Sequence, residues 1–220
     1  MNIFIPVIAF IIMAMLFKGA LSRDTRKRNE SFEKILQEEQ DANFYRSQNI
    51  PKEIFITADP SFLNNKIYTK EGYGNHISDA SLETLEKLKD NITQKAKHTM
   101  VRLTPKVSNK DLKKQYGIAN LDTLINGEES YYNYIHSLNI FAETLLKYEQ
   151  HPQATDVLNH AVHNMKSSVI KSYTLLFDLY KSTNNKEETI KLENHINQMD
   201  TLQNELDFKT KLIELTKEYT

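Results

Sequence analysis

Asp156, His160 and His163 fall at intervals of four and three residues in a stretch that reads as helix. One face of such a helix could offer all three side chains to a divalent metal ion. The pattern ends there. No His-Glu-x-x-His run is present and no second cluster of ligands stands elsewhere, so these histidines are expected to be exposed helix residues, with no metal and no cofactor. His195 falls at a helix-packing position and is expected to be half-buried and hydrogen-bonded. Glu38-Glu39 and Glu128-Glu129 are pairs of carboxylates, but neighbours in sequence do not share a helix face, so neither makes an acid–base dyad. No serine lies in a Gly-x-Ser-x-Gly turn, and no Gly-x-x-x-x-Gly-Lys run could cradle a phosphate. The chain has no cysteine, which removes disulfides, thiolate zinc sites and thiol nucleophiles together. No catalytic residue is nominated, and the chain reads as a non-enzyme.

Composition narrows the class further. The formal net charge is -1, which gives no general electrostatic case for nucleic acid. Five glycines and five prolines in 220 residues supply too few turns for a many-stranded β fold. The expected fold is mainly α.

The elements that would position any site begin with an apolar run. Ile3 to Phe17 carries no charge, and the chain then turns basic at Lys18, Arg23, Arg26, Lys27 and Arg28. With Asn2 and Gly19 to Leu21 the run approaches the roughly 20 residues that a spanning helix needs. Residues 1–21 are therefore expected to form a transmembrane anchor, touching the bilayer through residues 2–21. A cleaved signal peptide fits less well, because no basic residue precedes the run and Lys-Gly-Ala-Leu-Ser-Arg is a poor cleavage context. The basic flank places the remaining chain in the cytoplasm, as a single-pass cell-membrane protein.

After the anchor, residues 22–48 read as a charged juxtamembrane helix or stalk with a narrow apolar seam of Phe32, Ile35 and Leu36. Residues 49–77 lose the helical period and read as an irregular strap, with Ile54 to Thr57 favouring extended structure. Residues 78–130 form the first helical part. Leu82, Leu85, Leu88, Ile92 and Ala96 stripe one helix, which Met100 to Pro105 ends. Ser108 and Asp111 cap a short helix from Lys110 to Tyr116, stopped by Gly117. Leu121 to Ile125 belong to a connecting turn or short helix closed by Asn126-Gly127. Residues 131–220 read as helical hairpins with a final amphipathic helix, Thr201 to Tyr219, facing inward through Leu202, Leu206, Ile213 and Leu215.

From Tyr131 onward, a shift of 34 residues superposes apolar positions. Phe141-Ala142 fall on Leu175-Leu176, Leu145 on Leu179, Leu158 on Leu192 and Val162 on Ile196. Leu138, Phe141-Ala142 and Leu145, then Ala154, Leu158 and Ala161, follow the large and small pattern of tetratricopeptide repeats, whose period is 34. The region resembles one fair repeat and one degenerate repeat, with Glu188 and His195 where small residues belong. The whole chain resembles uncharacterised bacterial membrane-anchored proteins with a repeat-like helical C-terminus, most closely in Asn109-x-Asp111-Leu112-Lys113-x-x-Tyr116-Gly117-x-Ala119-Asn120-Leu121.

The repeat resemblance implies a concave surface lined by the first helix of each unit: His136, Asn139, Glu143 and Lys147, then Ile170, Tyr173, Phe177 and Lys181. Such a mix of aromatic, amide and lysine groups suits an extended peptide or a C-terminal carboxylate. An equally open expectation has Tyr173 and Phe177 packing against the upstream helix, Leu82 to Ile92. The function expected is a membrane-tethered scaffold or adaptor that binds a protein or peptide. The alternative is a membrane-held metal- or ligand-dependent enzyme or sensor.

Overall fold

The computed structural model describes residues 27–74, 77–103, 107–199 and 206–219. The expected anchor, with Lys18, Arg23 and Arg26, lies outside the described residues, as does Leu202. Among the described residues no helix is long and apolar enough to cross a membrane. The described chain is mainly helical, with a single two-stranded pairing.

Two compact units divide the chain: residues up to Gln48 with Ser108–Ala119, and Asn49–Val107 with Asn120–Thr220. In the first unit, helix α1 (27–42) pairs with α4 (Asn109–Tyr116). Lys110 Nζ lies 2.7 Å from Glu38 Oε2, and Lys113 pairs with Glu39. Ala42 and Leu112 are buried, and the Gln48 amide donates to the Tyr116 carbonyl at 3.1 Å. Ser108 caps α4, its Oγ accepting from the Asp111 amide at 3.2 Å. Gly117 ends α4 with φ +82°, and a side chain there would meet the Ser47 backbone at 2.5 Å. Only glycine is comfortable on both counts.

The second unit is built around α5 (Leu121–Lys147). The expectation that Asn126-Gly127 closes a turn is corrected, because the helix runs straight through it. A Cβ at Gly127 would approach Val101 Cγ2 to 2.5 Å and Val101 Cβ to 2.9 Å. The glycine is there for close approach, not for a turn. Met100–Val101 pairs antiparallel with Phe55–Ile56 and lies against α5. So the strap contributes a strand, and its residues Leu63, Tyr68 and Tyr73 join the core. After a short helical turn α2 (Lys70–Tyr73), α3 (Asp79–Lys95) packs on α5, burying Leu85 and Ile92.

The hairpins follow: α6 (His151–Asn159), α7 (Ile170–Ser182), α8 (Lys186–Gln198) and α9 (Leu206–Thr216). Each packs on its predecessor, and α9 also reaches α7. The loop between α6 and α7 is pinned by tyrosines. Tyr131 Oη donates to the Lys166 carbonyl at 3.1 Å, and Tyr173 Oη to the Ser167 carbonyl at 3.0 Å.

The repeat register needs correcting by one residue. Glu149 and Asn184, each with left-handed φ, stand 35 residues apart (184 less 149). The amide that follows each closes on a helix carbonyl in the same way, Gln150 to Leu145 and Asn185 to Tyr180. In this register Leu138, Phe141, Ala142 and Leu145 correspond to Tyr173, Leu176, Phe177 and Tyr180, all buried. The 34-residue register instead puts Leu175, which is only half-buried, opposite Phe141. Phe177 thus stands where the repeat pattern calls for a small residue.

Candidate functional site

The residues expected to line one surface are dispersed. His136 and Lys147 are exposed, and Ile170 is half-buried. Asn139 is buried, its Oδ1 accepting from Ser172 Oγ at 2.9 Å. Glu143 pairs with Lys171 at 2.8 Å. Lys147 lines a separate cleft with Ile77, Ser78 and Tyr148. Tyr173 and Phe177 are fully buried, so the open aromatic face expected on α7 is corrected. Phe208 of α9 sits edge-on to Tyr173, centroids 5.9 Å apart, and Tyr219 stacks on Phe177 at 5.1 Å and 19°. The C-terminal segment supplies aromatic cover for both rings. Correspondingly, the inward residues of α9 are Phe208, Leu212, Ile213 and Leu215, while Leu206 points out, 55% exposed.

Phe177 and Lys181 do meet at one place. Beside the Tyr219 ring, α7, the turn after it and α8 enclose a cleft of about 320 Å³. Tyr219 is the half-buried aromatic of its lining, with Phe177 and Tyr180 buried behind it, Ile190 stands at its rim 55% exposed, and Lys181, Lys186 and Glu193 bring charge. Lys181 Nζ lies 5.1 Å from the Tyr219 ring centroid, within cation–π range. Tyr219 Oη donates to Asp178 Oδ1 at 2.5 Å. Burial first, and this carboxylate second, push the phenol pKa up to about 12. Tyr180 is held by its bond to Asn159 Oδ1 at 3.1 Å. Asn185 caps α8, accepting from the Glu188 amide at 3.3 Å, which fixes the turn that carries Lys186 into the lining. An apolar pocket with a few convergent polar groups is the usual form of a binding site. Sequence reasoning missed Tyr180, Ile190, Glu193 and Tyr219. The signal available for Tyr219 was its place at the end of the amphipathic C-terminal segment.

The Asp156, His160 and His163 constellation is not assembled. The helix passes into a π-turn over His160–Asn164, with the Met165 amide bonded to the His160 carbonyl. The wider turn rotates the two histidines apart. His160 is buried rather than exposed, stacked on Phe62 at 4.2 Å with Nε2 3.3 Å from Tyr134 Oη. Desolvation holds its pKa below the ordinary value, although Asp156 and Asp59 oppose the shift. Asp156 accepts instead from Tyr68 Oη at 2.8 Å. His163 turns to His195, rings 4.6 Å apart, and burial lowers both pKa values. His195 is half-buried. Among the described residues no three His, Cys, Asp or Glu side chains are placed to hold a metal ion.

No protein-family model, no curated protein and no solved structure matches the chain.

Proposed function

We propose that the chain is a membrane-tethered protein-interaction adaptor without catalytic activity. Residues 2–21 lie in the bilayer, the basic flank from Lys18 to Arg28 stays on the cytoplasmic side, and the helical hairpins face the cytoplasm. The partner is an extended peptide segment of another protein, taken in the cleft between α7, α8 and Tyr219.

The observation that carries this reading is the cleft itself. The half-buried Tyr219 ring, an exposed isoleucine at the rim and lysines at the edge suit an apolar side chain next to a carboxylate. The tether supports it, since confinement to a surface raises effective concentration and lets a shallow cleft act.

The test is cross-linked co-purification from native membranes, comparing the intact chain with an Ile190→Asp, Lys181→Glu variant. Both side chains are exposed, so the fold should survive, which circular dichroism checks. A protein recovered with the intact chain and lost with the variant is the expected result. An unchanged set of partners would remove the cleft from the interaction. Topology is read separately: a cysteine placed near the C-terminus should escape an impermeant thiol reagent in intact cells.

A further inference from the structure

We propose that α1 is the contact between two copies of this chain, paired in parallel through Phe32, Ile35 and Leu36. These residues are 60%, 57% and 45% exposed and lie on one face of the helix, at the three- and four-residue spacing that keeps side chains together. The same face is covered further along α1, where Glu38 and Glu39 pair with α4 and Ala42 is buried. The seam therefore continues an interface that α4 is too short to complete. Leaving such a face in water forfeits the gain from burying it.

The chemistry of the helix selects a second copy as the occupant. Along the described residues 27–42 five acidic residues stand against three basic ones, and two of the basic residues, Lys27 and Arg28, come first in sequence. From Asn29 to Ala42 only Lys34 is basic, so this stretch is acidic where the apolar residues are, and an anionic bilayer surface would repel it. A second α1 meets the seam with the same apolar residues. With Phe32 at d and Leu36 at a, Asn29 takes the preceding a position, where an asparagine favours a defined parallel register. Arg28 and Glu33 then take g and e, which places Arg28 of one helix beside Glu33 of the other in the parallel arrangement. The seam is only two turns long and would not hold two free helices together. The pairing therefore rests on the membrane anchor read above. Two chains anchored in one bilayer emerge in the same direction, and the confinement supplies the concentration that the short seam lacks.

The absence of cysteine makes the test direct. Full-length Leu36→Cys and Lys34→Cys chains are oxidised mildly in native membranes. Lys34 lies on the opposite side of α1, and a disulfide needs Cα atoms within about 7 Å. The expected result is a covalent dimer from Leu36→Cys and its loss in Lys34→Cys. Equal cross-linking of the two, or none from either, overturns the pairing. Labelling of Leu36→Cys by a bilayer-soluble photoreagent, without dimer, also overturns it and gives the seam to lipid. Resistance to alkaline carbonate extraction is measured on the same membranes. Extraction of the protein with the Leu36→Cys dimer intact sinks the anchor, and with it the confinement argument, while leaving a seam that pairs by itself. Retention in the membrane without the dimer sinks the pairing and not the anchor.

Discussion

Gly127 decides how closely the strap strand can lie on α5. An alanine there would gain about 1 kcal/mol of helix propensity. Its Cβ, however, would stand 2.5 Å from Val101 Cγ2, 2.9 Å from Val101 Cβ and 3.2 Å from the Val101 amide nitrogen. Rotating the valine relieves only the first of these, so the strand itself must shift. Overpacking of this kind costs about 1–3 kcal/mol, and we expect it to outweigh the propensity gain. Gly127→Ala should lower the midpoint of urea unfolding, and an unchanged or raised midpoint would show that the strand moves freely. Tyr68 is a second residue with a disproportionate role. Its hydroxyl bonds Asp156 at 2.8 Å, while Gln153 Nε2 donates to the carbonyls of Ile67 and Gly72. Tyr68→Phe removes a hydrogen bond to a carboxylate and should cost about 1–2 kcal/mol, with Asp156 still half-buried. Both substitutions act on the attachment of the strap and leave the cleft beside Tyr219 untouched.

At the scale of elements, the π-turn after α6 and helix α8 carry three histidines with lowered pKa values: His160, His163 and His195. Desolvation is the first cause in each. On acidification the unfolded chain takes up these protons before the folded chain does, so stability falls with pH. The contribution is fully present above the ordinary histidine pKa of about 6.5 and is lost as pH drops through the lower folded values. Urea unfolding at about pH 7.5 and about pH 5.5 should show weaker stability at the lower pH. His160→Gln should flatten the difference, and a profile unchanged by it would place the titration elsewhere. Helix α9 offers a second prediction. A chain ending at residue 205 uncovers Tyr173 and Phe177, so α7 amides should lose hydrogen-exchange protection while those of α5 keep theirs.

The same elements show what could be read from sequence. The helical stripe of α3, the Ser108 cap and the stop at Gly117 rest on local chemistry, and local chemistry is visible in sequence. The path through Asn126-Gly127 was not, because the reason for that glycine lies across space in Val101. The one-residue change of repeat register was hidden for a similar reason. Apolar residues are dense enough on α7 that 34 and 35 both give matches, and only the left-handed turns choose between them. Of the candidate site, Phe177 and Lys181 were legible as neighbours on one helix face. Tyr219, more than thirty residues further on, was not, because nothing local states where the last helix will dock.

At the scale of the whole chain, the first unit is discontinuous in sequence: it takes α1 from before the strap and α4 from after it. The shorter of the two, α4, is not self-sufficient. Isolated helices shorter than about 12–15 residues are marginal in water, and α4 has eight. Its cross-links to α1 include Lys110–Glu38 and Lys113–Glu39. Both pairs are partly buried, and ion pairs near a surface contribute about 0–1 kcal/mol each, so we expect the burial of Leu112 to matter more. A chain shortened to residues 49–220 keeps every element of the second unit but removes α1. We expect its unfolding to stay cooperative, with amides of 109–116 losing hydrogen-exchange protection and those of α5 and α6 retaining it. Unchanged protection over 109–116 would show that α4 does not depend on α1. Loss of protection throughout would show that the hairpins cannot stand without the first unit. The expected outcome would tie the short helix in the middle of the chain to the segment next to the proposed anchor, so that α4 folds only where α1 is present.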